Sequence, residues 1–374
     1  MTTVYLVRHG EAEGNLYRRC HGVYNSLLTP RGYQQIEKLA ERFANIPVDR
    51  VYASDLFRAY QTAKAVADQK GLSIVPEPEL REINMGTWED KPWAELARFQ
   101  TEQFAVWEED PWHCTLPGGE SVQQCGQRML AAVRKIAAEN PDKTVLIGTH
   151  GTVIRGLLCL AHGYGPDGLA KIGWGDNTSV SKLTIDGEAL EIQYENDISH
   201  LPEELSTFHA VRFQGKAKDN QIWFRPVEQE DAEIILYFAK EKYQAAYGGW
   251  NDLDEGQYLA DTWRMQRANP RAVTLGMLEM EPVALVRLNV LDTSSPDTGM
   301  VGSFAARPEY RGAGISPQML GQAVSVYREM GKTYLAANAA ENNLRAIGFY
   351  QKNGFEKTGL FQGHYRMRKK IAVC

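Results

Sequence analysis

The stretch Val4-Tyr5-Leu6-Val7-Arg8-His9-Gly10 decides the fold of the N-terminal half. Its first four residues are a short, continuous apolar run, typical of a strand buried on both faces. The same pattern returns in Thr144-Val145-Leu146-Ile147-Gly148, which runs into Thr149-His150-Gly151, and Val51-Tyr52-Ala53 is a third short strand. Strands that alternate with helical stretches predict a parallel α/β sheet, whose ligands bind beyond the carboxyl ends of the strands.

Two histidines and two arginines are candidates for a shared site. His9 and His150 each follow a strand, and the glycine after each permits a tight turn and a close backbone approach to a ligand. Arg8 and Arg58 carry planar forks that suit phosphate oxygens. Arg58 falls in the first turn of a predicted helix, where a cation opposes the helix dipole and an anion is favoured. That placement indicates a functional arginine.

These motifs resemble the histidine phosphatase superfamily, which includes the phosphoglycerate mutases. The matching segments occur in the family's order over about the first 200 residues: Leu6-Val7-Arg8-His9-Gly10-Glu11, Asn15, Leu28-Thr29-Pro30-Arg31-Gly32, Ser54-Asp55-Leu56-Phe57-Arg58-Ala59-Tyr60-Gln61-Thr62-Ala63, Leu80-Arg81-Glu82-Ile83-Asn84-Met85-Gly86-Thr87-Trp88-Glu89, Pro117-Gly118-Gly119-Glu120-Ser121 and Thr149-His150-Gly151. The resemblance implies a doubly wound, mainly parallel sheet of the phosphoglycerate mutase type.

The resemblance also implies a role for each matched residue. His9 becomes the nucleophile that forms a phosphohistidine, and Glu82 becomes the proton donor. Arg8, Arg58 and His150 hold the phosphoryl group, with Asn15 and backbone N–H groups near Gly10 and Gly151 as further contacts. Glu11, Glu13 and Glu89 are other acids in the matched segments, and Glu82 fits the family pattern best. This chemistry requires no metal, and no metal-ligand spacing is present in the sequence.

Phosphoester hydrolysis and mutase-type phosphoryl transfer are both open to this family. A mutase keeps water away from its phosphoenzyme, which needs additional covering structure. The helical segment 92–112, rich in Trp and Phe, is the predicted lid over the pocket. The compactness of the domain favours a phosphatase acting on a small-molecule phosphate ester.

The second half has a different order of elements and a glycine-rich turn, Arg311-Gly312-Ala313-Gly314-Ile315-Ser316, that opens a helix directly after a strand. With few large side chains, its N–H groups can converge on a pyrophosphate. A second motif is Asn342-Asn343-Leu344-Arg345-Ala346-Ile347-Gly348-Phe349-Tyr350, followed by Gly354-Phe355. Together they resemble the GNAT acetyltransferases over about residues 220–370.

This second resemblance implies an α+β domain that binds acetyl-CoA or CoA. Arg311 and Gly314 fit the family's turn, whereas Ser316 replaces its last small residue. Asn342 or Asn343 would contact the pantetheine arm, and Tyr350 would protonate the departing thiolate. An N-acetyltransferase is the predicted activity, and a non-catalytic CoA-binding or interaction module is the alternative.

Composition and charge limit the other classes of function. The chain has 374 residues, a net charge of −6 and 24% charged residues, which argues against a general nucleic-acid binder. Residues 1–208 hold 20 basic and 29 acidic side chains, and residues 209–374 hold 21 and 18. Residues 198–220 lose periodicity and turn polar, and a new apolar strand begins at Ile222-Trp223-Phe224. We therefore predict a phosphatase domain at 1–208, a linker at 209–219 and a GNAT-like domain at 220–374, with the boundary near residue 215.

The cellular setting is also predicted from composition. Five cysteines without a C-x-x-C pair indicate neither a disulfide framework nor a zinc site. The N-terminus has no export leader, and no apolar run has the length of a membrane span. These features favour a cytoplasmic protein with reduced cysteines and no membrane partner, and they leave its oligomeric state open.

Overall fold

The computed structural model describes residues 1–209 and 220–373, which divide into two compact units. The first unit contains most of residues 1–209, and the second contains 220–373 together with Leu16–Arg18 and Pro92–Glu95. The predicted linker 209–219 lies, except for His209, outside the described residues, and so does Cys374. The predicted domain boundaries therefore stay a prediction.

The N-terminal half contains six strands and seven α-helices that lie wholly within its described residues. The strands are β1 Thr2–Arg8, β2 Arg50–Ala53, β3 Ile74–Pro76, β4 Thr144–Thr149, β5 Val180–Asp186 and β6 Ala189–Asp197. The helices are α1 Glu13–Tyr17, α2 Pro30–Phe43, α3 Phe57–Lys70, α4 Trp93–Phe99, α5 Thr101–Glu109, α6 Val122–Glu139 and α7 Gly151–Ala161.

The sheet of the first unit has the strand order β3-β2-β4-β1-β5-β6. Strands β3, β2, β4 and β1 are parallel neighbours, and the hairpin β5–β6 adds two antiparallel strands beside β1. The apolar residues of β1 and β4 are almost fully buried, as expected for strands covered on both faces. The predicted mainly parallel α/β sheet is confirmed.

The helices of this unit begin with different chemistry. Thr29 caps α2 by accepting a hydrogen bond from the Gly32 N–H at 3.0 Å, with Pro30 as the first helical residue. Ser121 and Gln124 form a reciprocal capping box at the start of α6. In contrast, α3 follows Leu56 without a side-chain cap. Instead, the N–H of Phe57, the first residue of α3, donates to the side-chain oxygen of Asn25 at 2.9 Å, next to Arg58.

The second unit is built on a mostly antiparallel sheet. Its strands are β7 Trp223–Pro226, β8 Val273–Leu278, β9 Glu281–Leu288, β10 Thr298–Ala306, β11 Tyr334–Ala340, β12 Glu356–Phe361 and β13 His364–Lys370. Its helices are α8 Ala232–Tyr247, α9 Glu255–Ala268, α10 Ile315–Glu329 and α11 Leu344–Lys352. The strand order is β12-β13-β11-β10-β9-β8-β7, and only β10 and β11 are parallel.

Helices cover both faces of this second sheet. On one face, residues of α10 and α11 pack with Val286 and Leu288 of β9 in one apolar core. On the other face, residues of α8 and α9 pack with Leu275 and Leu285. This alternation along β9 is the two-residue period of a strand buried on both sides. The predicted α+β class of the second domain is confirmed.

None of the helices in the described parts of the chain combines the length and the apolar character that crossing a bilayer demands.

Candidate active site and candidate CoA site

Three neighbouring parallel strands end at the same edge of the first sheet, and each is followed by a polar side chain. His9 follows β1, His150 follows β4 and Ser54 follows β2. Because these strands are adjacent in the sheet, the three side chains converge. The ring centroids of His9 and His150 lie 5.3 Å apart. The structure thus brings together two histidines that the sequence separates widely.

His9 has a fixed tautomer and a suppressed charge. Its Nδ1 lies 2.7 Å from the carbonyl oxygen of Gly10, which can only accept, so Nδ1 carries the proton and Nε2 keeps its lone pair. Burial lowers the pKa of His9 well below 6.5, and the nearby Arg58 and Arg8 lower it further. The ring is therefore a neutral imidazole at physiological pH, with Nε2 available as a nucleophile.

His150 is oriented by Ser54. Its Nε2 lies 2.8 Å from Ser54 Oγ, which already accepts a hydrogen bond from the Leu56 N–H. The Ser54 hydroxyl can therefore donate to Nε2, which leaves the His150 proton on Nδ1. This Nδ1 is buried and has no hydrogen-bond partner. It is a donor that lacks an acceptor, as expected where a ligand oxygen binds.

Arg8 lies against the start of α7. The guanidinium donates through Nη1 to the carbonyl of Gly175, while its buried Nε has no partner. A Cβ on Gly151 would approach Arg8 Nε to 3.1 Å, so the glycine allows this close packing. Burial lowers the pKa of Arg8, although Asp176 and Glu82 oppose the shift. A cation beside a helix N-terminus makes this point electropositive.

Arg58 is almost fully buried and grips a loop through its two terminal nitrogens. Nη1 donates to the Tyr24 carbonyl at 2.9 Å, and Nη2 donates to the Gly22 carbonyl at 2.6 Å. Burial lowers the pKa of Arg58 to about 10, so the guanidinium stays charged at neutral pH. The loop is held in turn by Glu89, whose carboxylate accepts from the N–H groups of residues 22, 23 and 24 at 2.8–3.1 Å.

The side chain of Glu82 contacts the N-terminal turn of α7. Its carboxyl oxygens accept hydrogen bonds from the N–H groups of Ile83, Thr152 and Val153 at 3.0–3.1 Å. Its side chain is buried, and its charge contributes to the pKa values of both Arg8 and Arg58. The predicted proton donor therefore lies beside the cationic cluster and has a fixed orientation.

Asn15 and the Gly10 N–H, which were also predicted to contact phosphate, make hydrogen bonds within the protein. Asn15 uses its side-chain oxygen to accept from the Ala12 N–H at 3.0 Å. The N–H of Gly10 donates to the Thr62 hydroxyl at 2.9 Å, so this backbone donor is already satisfied within the protein. Gly151 is the first residue of α7 and contributes both its small size and its position to the site.

Sequence reasoning missed the side chains that orient the predicted ones. Ser54 and Thr62 fall in a quoted motif but received no role. His21 was not noticed: its side chain is 5% exposed, its Nε2 lies 2.9 Å from Asp90 Oδ1, and burial lowers its pKa. Ser54 could have been found, because it follows a predicted strand at the same sheet edge. No local pattern in the sequence marks His21.

In the second unit, the glycine-rich turn leads into α10. Gly312 and Gly314 have φ values of 81° and 77°, a region that other residues adopt only at a cost, and Gly314 directly precedes the helix. The space where their Cβ atoms would lie is open. Arg311 donates through Nη2 to Glu241 at 2.7 Å, so its guanidinium is engaged in an ion pair of the unit itself.

The two asparagines of the second motif lie in different surroundings. Asn343 caps α11 by accepting from the Ala346 N–H at 3.0 Å, whereas Asn342 lines a cavity of about 310 Å³ with Tyr247 and His364. Tyr350 lies in the core of the unit, and burial raises the pKa of its phenol. A protonated phenol is the state that a proton donor requires. The predicted roles of Asn342 and Tyr350 are untested by these positions.

Comparison with known families agrees with both resemblances. Residues 4–198 match the model of the histidine phosphatase superfamily (branch 1), and residues 226–355 match the model of the acetyltransferase (GNAT) family. The chain belongs to the histidine phosphatase superfamily, and it carries a GNAT domain at its C-terminal end.

Individual relatives match the first unit. A protein of Hydrogenobacter thermophilus named "Putative phosphoserine phosphatase 2" is 30% identical over 54% of this chain and 98% of its own length. A protein of Yersinia pestis named "Probable phosphoglycerate mutase GpmB" is 38% identical over 42% of this chain and 74% of its own. The solved structure of Bacillus stearothermophilus YhfR is 33% identical, with a TM-score of 0.52 over 54% of this chain and 99% of that one.

Proposed function

We propose that the first unit hydrolyses phosphomonoesters through a phosphohistidine formed on His9. One observation carries the proposal: His9 and His150 lie 5.3 Å apart beside buried Arg8, while Arg8 Nε and His150 Nδ1 have no partner. A cluster of buried donors with positive charge is complementary to a phosphoryl dianion. Arg58 adds a second positive charge to this environment.

In the first step, Nε2 of His9 attacks phosphorus and the ester oxygen departs. The neutral imidazole provides the electron pair for the new P–N bond, while the P–O bond to the leaving group breaks. The proton of the Glu82 carboxyl passes to the departing alkoxide, an acid catalysis that contributes about 10²–10⁴-fold. The three N–H groups around Glu82 then stabilise the carboxylate that remains.

In the second step, water attacks the phosphohistidine. Glu82 takes one proton from the water as the new P–O bond forms, and the P–N bond breaks to return a neutral His9. Arg8, Arg58 and the Nδ1–H of His150 stabilise the charge on the phosphoryl oxygens during both steps. Splitting the reaction in this way replaces one difficult displacement with two easier ones. No step requires a metal ion.

The direct test is capture of the intermediate. The full-length protein is mixed with an aryl phosphate, quenched in alkali, and analysed for an acid-labile phosphoryl group on the peptide that contains residue 9. We expect His9→Ala to lose both this group and turnover while its circular dichroism stays unchanged. Undiminished turnover by the folded variant would remove the proposal.

Phosphatase and mutase activities are separated by the fate of the phosphoryl group. Release of inorganic phosphate from a panel of esters supports hydrolysis, whereas exchange between 2- and 3-phosphoglycerate without net release supports a mutase. The names of the relatives include both activities. We favour hydrolysis, with segment 92–112 as the proposed lid.

We also propose that the second unit binds acetyl-CoA and transfers the acetyl group to an amine. The open turn at Gly312 and Gly314 before α10 supports pyrophosphate binding there, and the match to the GNAT family supports the reaction. Isothermal titration with acetyl-CoA tests binding, and release of free CoA with a panel of amines tests transfer. Binding without release would favour a CoA-binding module instead.

A further inference from the structure

A group of polar side chains lies on the face of the second sheet that α8 and α9 cover. Arg287 of β9 and Ser303 of β10 are directly paired across the two strands, so their side chains point to the same face. Two residues away on each strand, Leu285 and Ala305 pack in the apolar core formed with α8 and α9. The period of two therefore turns Arg287 and Ser303 toward these helices.

The two helices contribute one side chain each. Lys242 of α8 donates from Nζ to the carbonyl of Gly302 at 3.2 Å. Gly302 is the extra residue of a bulge, because the pairing shifts between Val301 and Ser303. The guanidinium carbon of Arg287 lies 4.4 Å from the centre of the ring of Tyr258, which belongs to α9. Four elements thus bring four polar side chains into one cluster.

Most of the hydrogen-bonding capacity of this cluster is unused. Arg287 Nε is buried and has no hydrogen-bond partner, and the hydroxyls of Tyr258 and Ser303 are close enough to interact with each other but have no partner outside the cluster. Burial and the charge of Arg287 lower the pKa of Lys242 to about 8. Among the residues that the structure describes, no carboxylate forms an ion pair with Lys242 or Arg287. Buried donors without acceptors, beside cations without counter-ions, are unfavourable unless a ligand satisfies them.

The complementary ligand group follows from these donors. An N–H of arginine, an ammonium and two hydroxyls all present hydrogens on a cationic background, and only an oxyanion offers several acceptors with the opposite charge. We propose that Lys242, Tyr258, Arg287 and Ser303 bind the carboxylate or phosphate group of a small-molecule ligand of the second unit. This proposal is independent of the proposed acetyltransferase activity, because the cluster can bind an anion whether or not the unit transfers an acetyl group.

Protection of Lys242 from chemical modification tests the proposal at a single residue. The full-length protein is methylated with formaldehyde and borohydride at pH 8, and the extent at Lys242 is measured by peptide mass spectrometry. Inorganic phosphate and glutarate are the two probes, each titrated at constant ionic strength with chloride. At ten times the Kd, about one-tenth of the sites stay free, so methylation falls about tenfold.

The two probes distinguish the two sources of the anion. Protection by phosphate alone supports a phosphoryl group, and protection by glutarate alone supports a carboxylate. Phosphate that binds at the first unit does not interfere, because the measurement is confined to Lys242. If neither probe slows methylation at Lys242, the proposal is overturned.

Variants of the cluster complete the test. Arg287→Gln should raise the protective concentration at least about tenfold, the loss expected for one charge-assisted contact. Arg264→Gln, at an exposed position on α9, is the matched control and should leave protection unchanged. If Arg287→Gln does not fold, Ser303→Ala removes only a hydroxyl and should raise the protective concentration severalfold. Equal protection in the folded variants and the wild type would refute the assignment.

Discussion

Glu89 offers the sharpest test of how the phosphate site is held, because it is a positioning residue rather than a catalytic one. Its Oε1 accepts from the N–H groups of Val23 and Met85, and its Oε2 accepts from those of Gly22 and Tyr24. The carbonyls of Gly22 and Tyr24 are in turn the partners of Arg58. Glu89→Gln keeps the size of the side chain and replaces one of its two acceptor oxygens with an NH₂ donor.

The magnitude follows from the bonds that are lost. Two backbone N–H groups lose their acceptor and face a donor instead, at about 1–3 kcal/mol each. We take the lower end, about 2 kcal/mol, because the loop can turn toward water. For a unit of about 200 residues this lowers Tm by about 4–8 °C. Arg58 then follows the displaced loop, and misplacement of such a group by about 1 Å costs about 10²-fold in rate.

The assay is steady-state hydrolysis of an aryl phosphate together with thermal unfolding. We expect kcat to fall by about two orders of magnitude at 10 °C below the lowered Tm, so that loss of folded protein does not explain the change. Glu37→Gln, at an exposed position on α2, is the control and should change neither quantity. Wild-type kcat in Glu89→Gln would refute the claim that this carboxylate positions Arg58.

Three further outcomes are expected. Because the pKa of His9 lies well below 6.5, kcat/KM should begin to fall only at a pH below 6.5 as the imidazole gains a proton; a pH profile with its acid limb centred at or above 6.5 would contradict the burial argument. Ser54→Ala removes the hydroxyl that holds the proton of His150 on Nδ1, so kcat should fall about fivefold. Ser73→Ala, at an exposed position, is the control, and an unchanged kcat in Ser54→Ala would exclude this orienting role. Gly312→Ala should weaken acetyl-CoA binding about 5- to 30-fold, because an alanine at this positive φ costs about 1–2 kcal/mol of backbone strain. Gly348→Ala is the control and should leave the affinity unchanged. Equal acetyl-CoA affinity of Gly312→Ala and the wild type in titration calorimetry would contradict the prediction.

The sequence predicted those features that depend on local pattern. Continuous apolar runs before Arg8-His9-Gly10 and Thr149-His150-Gly151 identified two buried strands, and the rule for the carboxyl ends of parallel strands placed both histidines at one edge. Arg58 was recognised because a cation in the first turn of a helix is unfavourable without an anion. The structure places His9 and His150 together, while their catalytic roles and that of Glu82 stay predictions.

Features that depend on distant pairs could not be read from the sequence. Glu89 holds residues 22–24, and no local period connects a carboxylate with backbone N–H groups more than sixty positions away. The pairing of Arg287 with Ser303 depends on strand register and on the bulge at Gly302, neither of which side-chain spacing specifies. The order of the strands in each sheet also depends on pairing between distant segments, so it could not be predicted from local sequence patterns.

The order β2-β4-β1 has an evolutionary consequence. The predicted phosphate-binding residues His9, Arg58 and His150 lie at strand ends and first helical turns, whereas segment 92–112, the proposed lid, contains none of the predicted site residues. We therefore expect that exchanging this segment with that of a relative would change which alcohol is accepted and leave His9, Glu82 and Glu89 in place. The range of phosphate esters that such a protein accepts could therefore change in evolution by replacement of a connecting segment alone.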